Sequence, residues 1–189
     1  RPPYGIASRE PCGVVVVLKP AGITSHDVVN LLRRHFGTRR VGHTGTLDPM
    51  ATGVIVACVG PATRIAEYVP SDPKEYEAEI HLGIETDTED VTGETITVAD
   101  ASNVTEADVL RALDSFRGAV MQTPPMVSAV KVGGERLYKL ARKGLTVDRS
   151  PRRVEVYDLR LLSFEAGQRA RLRVRVLCSP GTYIRTLAA

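Results

Sequence analysis

Arg169-Ala-Arg-Leu-Arg-Val-Arg-Val176 alternates a cation with an aliphatic residue through four repeats. Successive side chains of a β-strand point to opposite faces, so this period of two sets Arg169, Arg171, Arg173 and Arg175 against Ala170, Leu172, Val174 and Val176. Val154–Phe164, just upstream, reads as a second strand. From Lys74 a third alternates, with Tyr76, Ala78, Ile80 and Leu82 opposite Glu75, Glu77, Glu79 and His81. Val14–Leu18 and Val54–Val59 are aliphatic runs of the length of buried strands. Helical spacing is rarer. Thr24 with Asp27 and Thr105 with Asp108 resemble capping boxes, opening helices that run to Phe36 and Phe116 with Gly37 and Gly118 as stops, and a short third helix is expected over Glu135–Lys143. Strands outnumber helices and their connections look hairpin-like or irregular. The expected fold class is α+β, a mixed or antiparallel sheet with flanking helices.

The 189 residues allow one sizeable domain, or one domain and a fragment. With 43% hydrophobic and 25% charged residues, the composition excludes disordered and collagenous chains. No aliphatic run is long enough to cross a bilayer. Near Arg1 there is no basic-then-apolar leader, and Cys12, Cys58 and Cys178 are odd in number and widely spaced, so reduced thiols in a cytoplasmic protein are expected. Residues 1–12, rich in proline, read as an N-terminal arm, and residues 13–189 as one domain. The formal charge of +3 hides a division: residues 1–68 carry +4, 69–118 carry −10 and 119–189 carry +9. Two basic blocks around an acidic one suggest a positive face, and either a polyanionic partner or an ordinary solvated surface.

Several kinds of chemistry have no signature here. His26, His35, His43, His81 and the cysteines lack the short paired spacings of a zinc site, so no metal is expected. There is no phosphate-binding P-loop, G-x-G-x-x-G or G-x-S-x-G, and no cofactor is expected. The densest peculiarity is Arg40-Val-Gly-His-Thr-Gly-Thr-Leu-Asp-Pro-Met-Ala-Thr-Gly53. Three glycines, three threonines and a proline permit sharp turns and short-range hydrogen bonds that stiffen a loop. Within it stands one carboxylate, Asp48. It reads either as a turn or cap residue, or as a nucleophile that a cation must orient. A candidate cation is Arg185 in Ser179-Pro-Gly-Thr-Tyr-Ile-Arg185. If that segment is extended, it shares a face with Tyr183.

Gly42-His43-Thr44-Gly45-Thr46-Leu47-Asp48-Pro49 with Ala51 and Gly53, the preceding Lys19-Pro20, Lys74-Glu75-Tyr76, and Gly181-Thr182-Tyr183-Ile184-Arg185 together resemble the TruB family of pseudouridine synthases. The resemblance runs from about Gly13 to the last residue, with four motifs in order. It implies a pseudouridine synthase-like catalytic domain that isomerises uridine in RNA, breaking the N-glycosidic bond and rejoining the ribose through C5 of the base. It implies Asp48 as the nucleophile, acting on the ribose, on the base or in forming a glycal. Arg185 would pair with Asp48, Tyr76 would stack on the target base and Tyr183 would line the other side of the pocket. His43 would meet RNA beside that base, and Lys19 would support the site through backbone or phosphate contacts.

Arg39, Arg40 and Arg64 flank the loop, and Lys139 and Arg142 follow Pro124-Pro125-Met126-Val127-Ser128, which resembles the family's RNA-clasping insertion. These five are expected on the RNA backbone. The Leu82–Glu94 stretch looks like the stand-alone branch, which implies a monomer with no obligate protein partner acting on uridine 55 in the T loop of tRNA. Two alternatives stand beside it: the catalytic subunit of a guide-RNA-dependent synthase, and a non-catalytic RNA-binding or RNA-folding module. Family members continue beyond the Tyr-Ile-Arg motif, whereas this chain ends four residues after Arg185. It therefore reads as lacking a C-terminal part, with weak or absent turnover expected of the 189 residues by themselves.

Overall fold

The computed structural model describes residues 10–69, 72–128 and 130–189, and the chain falls into two compact units, residues up to 71 and from Asp72 onward. Most of the expected N-terminal arm, residues 1–9, lies outside the described residues.

The first unit contains β1 (Gly13–Lys19), α1 (Ser25–Phe36), β2 (Val41–His43), β3 (Gly53–Val59) and a 3-10 helix (Gly60–Tyr68). The strands form an antiparallel sheet in the order β1-β3-β2. Helix α1 starts where its capping box predicts: Thr24 Oγ1 accepts from the Asp27 N–H, and the Asp27 carboxylate accepts from the Thr24 N–H at 2.8 Å. It stops at Gly37, whose φ of 62° is a left-handed conformation that costs glycine little. Val29 of α1 packs on Val41 and Val59 of the sheet. The expectation of a buried strand over Val14–Leu18 is corrected, because β1 is an edge strand with one open face. Val16 and Leu18 are 68% and 75% exposed, while Val15 and Val17 are partly covered and Lys19 is fully buried. A run of uniformly aliphatic residues carries no alternation from which to read this.

The second unit contains β4 (Lys74–His81), β5 (Ile84–Thr86), β6 (Thr95–Val98), α2 (Glu106–Ser115), β7 (Gly118–Gln122), β8 (Lys131–Val132), β9 (Glu135–Arg136), α3 (Leu137–Arg142), β10 (Arg152–Glu165), β11 (Arg171–Cys178) and α4 (Ile184–Ala188). Four strands form an antiparallel sheet in the order β4-β11-β10-β7. Leu172, Val174 and Val176 of β11 turn to one face, where Val109 and Leu113 of α2 close the core over Val156 and Leu159 of β10. Removing such side chains from water is worth about 1.5–3 kcal/mol each, so this face is what holds the sheet and helix together.

The other face of β11 does not present free cations. Arg171 pairs with Glu165 at 2.6 Å, Arg173 with Glu77 at 3.4 Å, and Arg175 with Glu77 at 2.8 Å and Glu75 at 3.6 Å. Hydrogen bonding from Arg175 and the arginine charges hold Glu77 below its ordinary value. Exposed pairs of this kind contribute only ~0–1 kcal/mol apiece, but they neutralise the stretch that made the C-terminal third look most basic.

Five further readings change. The loop expected from Gly42 begins inside β2, and the acidic loop Glu85–Glu94 starts in β5, which pairs with β6. Gly118, read as a helix stop, begins β7 instead, with α2 already ended at Phe116. The third helix starts at Leu137 because the residues before it pair as β8 and β9. Tyr183 and Arg185 do not lie on an extended segment; Tyr183 caps α4 and Arg185 lies in its first turn. Cys12, Cys58 and Cys178 are free thiols, and no helix among the described residues is long and apolar enough to cross a membrane.

Candidate active site

In the first unit, the loop from β2 to β3 carries Asp48 and is pinned at successive peptides. The Thr44 N–H donates to Val56 O at 3.0 Å, continuing the β2–β3 ladder for one residue. Leu47 is held at both main-chain groups: its N–H donates to Ser25 Oγ at 2.9 Å, and Ser25 Oγ donates to its carbonyl at 3.1 Å. The Asp48 carbonyl accepts from the Ala51 N–H at 3.1 Å. The Pro49 carbonyl accepts twice, from the Gly22 N–H at 2.8 Å and from Lys19 Nζ at 3.1 Å.

Lys19 is fully buried, and its other two ammonium protons go to the Pro20 and Ile23 carbonyls at 2.8 and 2.7 Å. All three ammonium protons are thus spent on backbone, and the side chain offers no surface to a substrate. Burial pushes its pKa below the ordinary 10.5, against the pull of the Asp48 charge. The strand β1, the turn after it and the Asp48 loop are thereby tied to one cation. His43 ends β2, Arg39 and Arg40 lie exposed just before it, and Arg64 is exposed on the 3-10 helix. Arg40 also pairs with Glu10 at 3.2 Å.

In the second unit Arg185 is buried. Its guanidinium donates to Thr88 O at 2.8 Å and Val127 O at 3.0 Å, and lies 3.6 Å from the Asp90 carboxylate. The turn between β5 and β6 makes this seat. Thr88 Oγ1 donates to Asp90 Oδ1 at 2.9 Å, and Thr92 donates to the same oxygen from its N–H at 2.9 Å and from its hydroxyl at 2.5 Å. Burial pushes the Asp90 carboxyl up. Those hydrogen bonds and the Arg185 charge outweigh it, so the pKa lies below its ordinary 3.8 and the group is ionised at neutral pH. The next residue, Thr186, donates to Glu89 at 2.5 Å. Gly93 completes the turn because there is no room for more: a Cβ there would run into Thr88 Oγ1 and Asp87 Oδ1.

Tyr183 is fixed through its main chain. Gln122, only 4% exposed at the end of β7, accepts from the Tyr183 N–H at 3.0 Å and donates to its carbonyl at 3.1 Å. Tyr183 also borders a cleft of about 160 Å³ shared with Gln122, Pro124, Arg152, Arg153 and Pro180. Tyr76 lies on β4 opposite Val176 of β11. An apolar cavity of about 250 Å³ beneath α2 and α4 includes neither tyrosine nor Arg185 in its walls, so the chemistry does not belong there. Lys139 is exposed on α3, and the Arg142 side chain lies outside the described residues.

Five residues of this arrangement were not singled out from the sequence: Ser25, Asp90, Gln122, Arg152 and Arg153. Thr86-Asp-Thr-Glu-Asp-Val-Thr92, with a hydroxyl at every second or fourth position around Asp90, is a signal for the Arg185 seat that was there to be read. Ser25 and Gln122 gave none, since each acts on a segment distant in the chain.

An α+β chain with antiparallel sheets, a lone carboxylate on a pinned Gly/Thr loop and a buried arginine after a Gly-Thr-Tyr turn is built as a pseudouridine synthase-type domain. The description "TruB family pseudouridylate synthase (N terminal domain)" matches residues 33–184, and the chain belongs to that family. It is 56% identical over 182 residues to tRNA pseudouridine synthase B of Symbiobacterium thermophilum, covering 96% of this chain and 61% of the relative. It is 48% identical over 177 residues to the protein of the same name from Saccharophagus degradans, covering 94% and 56%. The chain thus spans about three-fifths of the length of these relatives. Among solved structures, a Cbf5-Nop10-Gar1 complex matches with a TM-score of 0.64 and 31% identity over 93% of this chain and 42% of the other. An H/ACA RNP bound to a substrate RNA containing 2'-deoxyuridine matches at 0.60 and 28%, over 93% and 40%.

Proposed function

We propose that this protein isomerises uridine to pseudouridine in tRNA, at uridine 55 of the T loop, with Asp48 as nucleophile and without a guide RNA. The observation that carries the reading is the family match across residues 33–184, which includes Asp48, Tyr76 and Tyr183 and stops one residue short of Arg185. The relatives at 56% and 48% identity bear the name tRNA pseudouridine synthase B, which favours tRNA as the substrate. A nucleophile that must meet C1' of the ribose or the base at one angle needs a stiff support, and the hydrogen bonds at Thr44, Leu47, Asp48 and Pro49 supply one.

In this reading Arg185 is the cation that pairs with Asp48 and keeps its carboxylate ionised and aimed. Its seat on Thr88, Asp90 and Val127 leaves the guanidinium little freedom to turn. Tyr76 stacks on the extruded base, Tyr183 closes the other side, and His43 meets the RNA beside it. Flipping a uridine costs a few kcal/mol, and stacking on an aromatic ring returns ~1–3 kcal/mol, so Tyr76 with a few hydrogen bonds can hold the flipped base. Arg39, Arg40, Arg64, Lys139 and Arg142 take the phosphates, joined by Arg152 and Arg153 beside Tyr183. The protein works as a monomer in the cytoplasm.

A second reading is favoured by the solved structures alone: a catalytic subunit that works within a guide RNA and protein assembly. The two part in one assay. The intact protein is incubated with unmodified tRNA carrying tritium at uridine C5, since rejoining the ribose at C5 sends that hydrogen to water. Release without guide RNA supports the first reading; release only after guide RNA and partner proteins are added supports the second. Tight binding with no release under either condition leaves only a non-catalytic RNA-binding module.

A further inference from the structure

We propose that Ser25 is a positioning residue for Asp48, acting through the peptide that joins Leu47 to Asp48. The inference rests on the reading of Asp48 as the nucleophile and adds a residue that no motif marks. Ser25 is the first residue of α1, yet its hydroxyl does not cap that helix, because Thr24 does. Ser25 is 3% exposed, and its hydroxyl bonds twice to one residue 22 positions away, accepting from the Leu47 N–H at 2.9 Å and donating to the Leu47 carbonyl at 3.1 Å. A side chain thereby imitates a strand partner for a single loop residue.

The choice of Leu47 has a geometric consequence. Its carbonyl belongs to the planar peptide whose nitrogen is that of Asp48, so holding the carbonyl fixes the plane entering the Asp48 Cα. The plane leaving that Cα contains the Asp48 carbonyl, which the Ala51 N–H holds at 3.1 Å. With both planes fixed, the direction of the Cα–Cβ bond is fixed too, and the carboxylate keeps only its own two side-chain rotations. Lys19 and Gly22 act one peptide further on, at Pro49. Ser25 reaches the peptide on the N-terminal side of Asp48.

Ser25→Ala removes both bonds to Leu47 and nothing that α1 needs, since the capping box is intact and alanine is a strong helix former. Three measurements test the proposal. Amide hydrogen exchange at Leu47, which requires no turnover, is expected to quicken at least tenfold in Ser25→Ala. The tritium-release rate at saturating tRNA in the intact protein is expected to fall about 10- to 100-fold, the scale of a misplaced reacting group. The KM for tRNA is expected to stay within about threefold, with the thermal midpoint near that of the parent. Ser25→Thr restores the hydroxyl and is expected to recover most of the rate.

A Ser25→Ala rate within twofold of the parent, in a preparation where Asp48→Asn abolishes release, overturns the positioning role and leaves the nucleophile standing. A loss of rate that comes with lost tRNA binding or a collapsed midpoint overturns it as well, because the role would then be one of folding. Unchanged release in Asp48→Asn overturns both the functional reading and this inference, and so separates the two failures.

Discussion

Replacing Lys19 by methionine is expected to lower stability more than any surface substitution in this chain. Methionine matches the length and most of the volume of lysine, so packing changes little, while three charged hydrogen bonds vanish. The Pro49 carbonyl keeps its bond from the Gly22 N–H at 2.8 Å, but the Pro20 and Ile23 carbonyls lose the donor at 2.8 and 2.7 Å. A polar group cut off from both its partner and water costs about 1–3 kcal/mol, so two partly buried carbonyls lose at most about 2–6 kcal/mol. Relief from burying a charge offsets part of this. The offset is incomplete, because apolar replacement of a buried charge is neutral only when its partners are replaced as well, and here they are backbone. For a chain of this size each kcal/mol moves the midpoint by about 2–4 °C, so thermal unfolding followed by far-ultraviolet circular dichroism should show a drop of roughly 5–15 °C. The pH dependence has a definite sign. The folded pKa of Lys19 lies below the unfolded 10.5, so between those values the unfolded chain binds more protons and the parent gains stability as pH rises. The methionine variant lacks that gain, and the gap between the two should widen towards pH 10.5. A midpoint unchanged or raised in Lys19→Met would refute the view of Lys19 as the clamp under the Asp48 loop.

Gly93→Ala should loosen the turn that seats Arg185, because its Cβ meets Thr88 and Asp87; a cost of about 1–3 kcal/mol in chemical denaturation is expected, with faster amide exchange at Thr92 and Glu94. Thr24→Ala should lower the thermal midpoint by about 2–4 °C through loss of the α1 cap. Hydrogen bonds from the Thr24 hydroxyl and N–H hold the Asp27 carboxyl below its ordinary 3.8, so that part of the effect is present above pH 3.8 and is lost as pH falls through the folded value; the parent and the variant should converge in acid. Lys139→Gln should weaken tRNA binding and reduce the slope of log affinity against log salt by ~1, whereas an unchanged slope would remove Lys139 from the RNA interface.

What could be read from the sequence was what short-range chemistry decides. Thr24 with Asp27 and Thr105 with Asp108 mark the starts of α1 and α2 because a capping box closes within four residues. The alternation at Lys74–His81 and Arg171–Cys178 marks β4 and β11 because a strand with one covered face must repeat every two residues. What escaped depends on partners far along the chain. Strand β7 is five residues made legible only by its pairing with β10, and Arg185 takes its seat from residues about 60 and 100 positions earlier. Lys19 is the sharpest case. Lysine is almost never fully buried, so residue type points outward, and only the convergence of the Pro20, Ile23 and Pro49 carbonyls explains why this one goes inside. The basic stripe of β11 misleads in the opposite direction, since the glutamate that neutralises Arg173 and Arg175, Glu77, lies on a neighbouring strand nearly 100 residues away.

The central claim is that Asp48 attacks uridine in tRNA. Tritium release from tRNA labelled at uridine C5, measured for the intact protein and its Asp48→Asn variant alongside their affinities for the same tRNA, tests it most directly. The account predicts release by the parent without guide RNA, and no detectable release by the variant at an affinity within about threefold. Release by the variant at the parent's rate would contradict it.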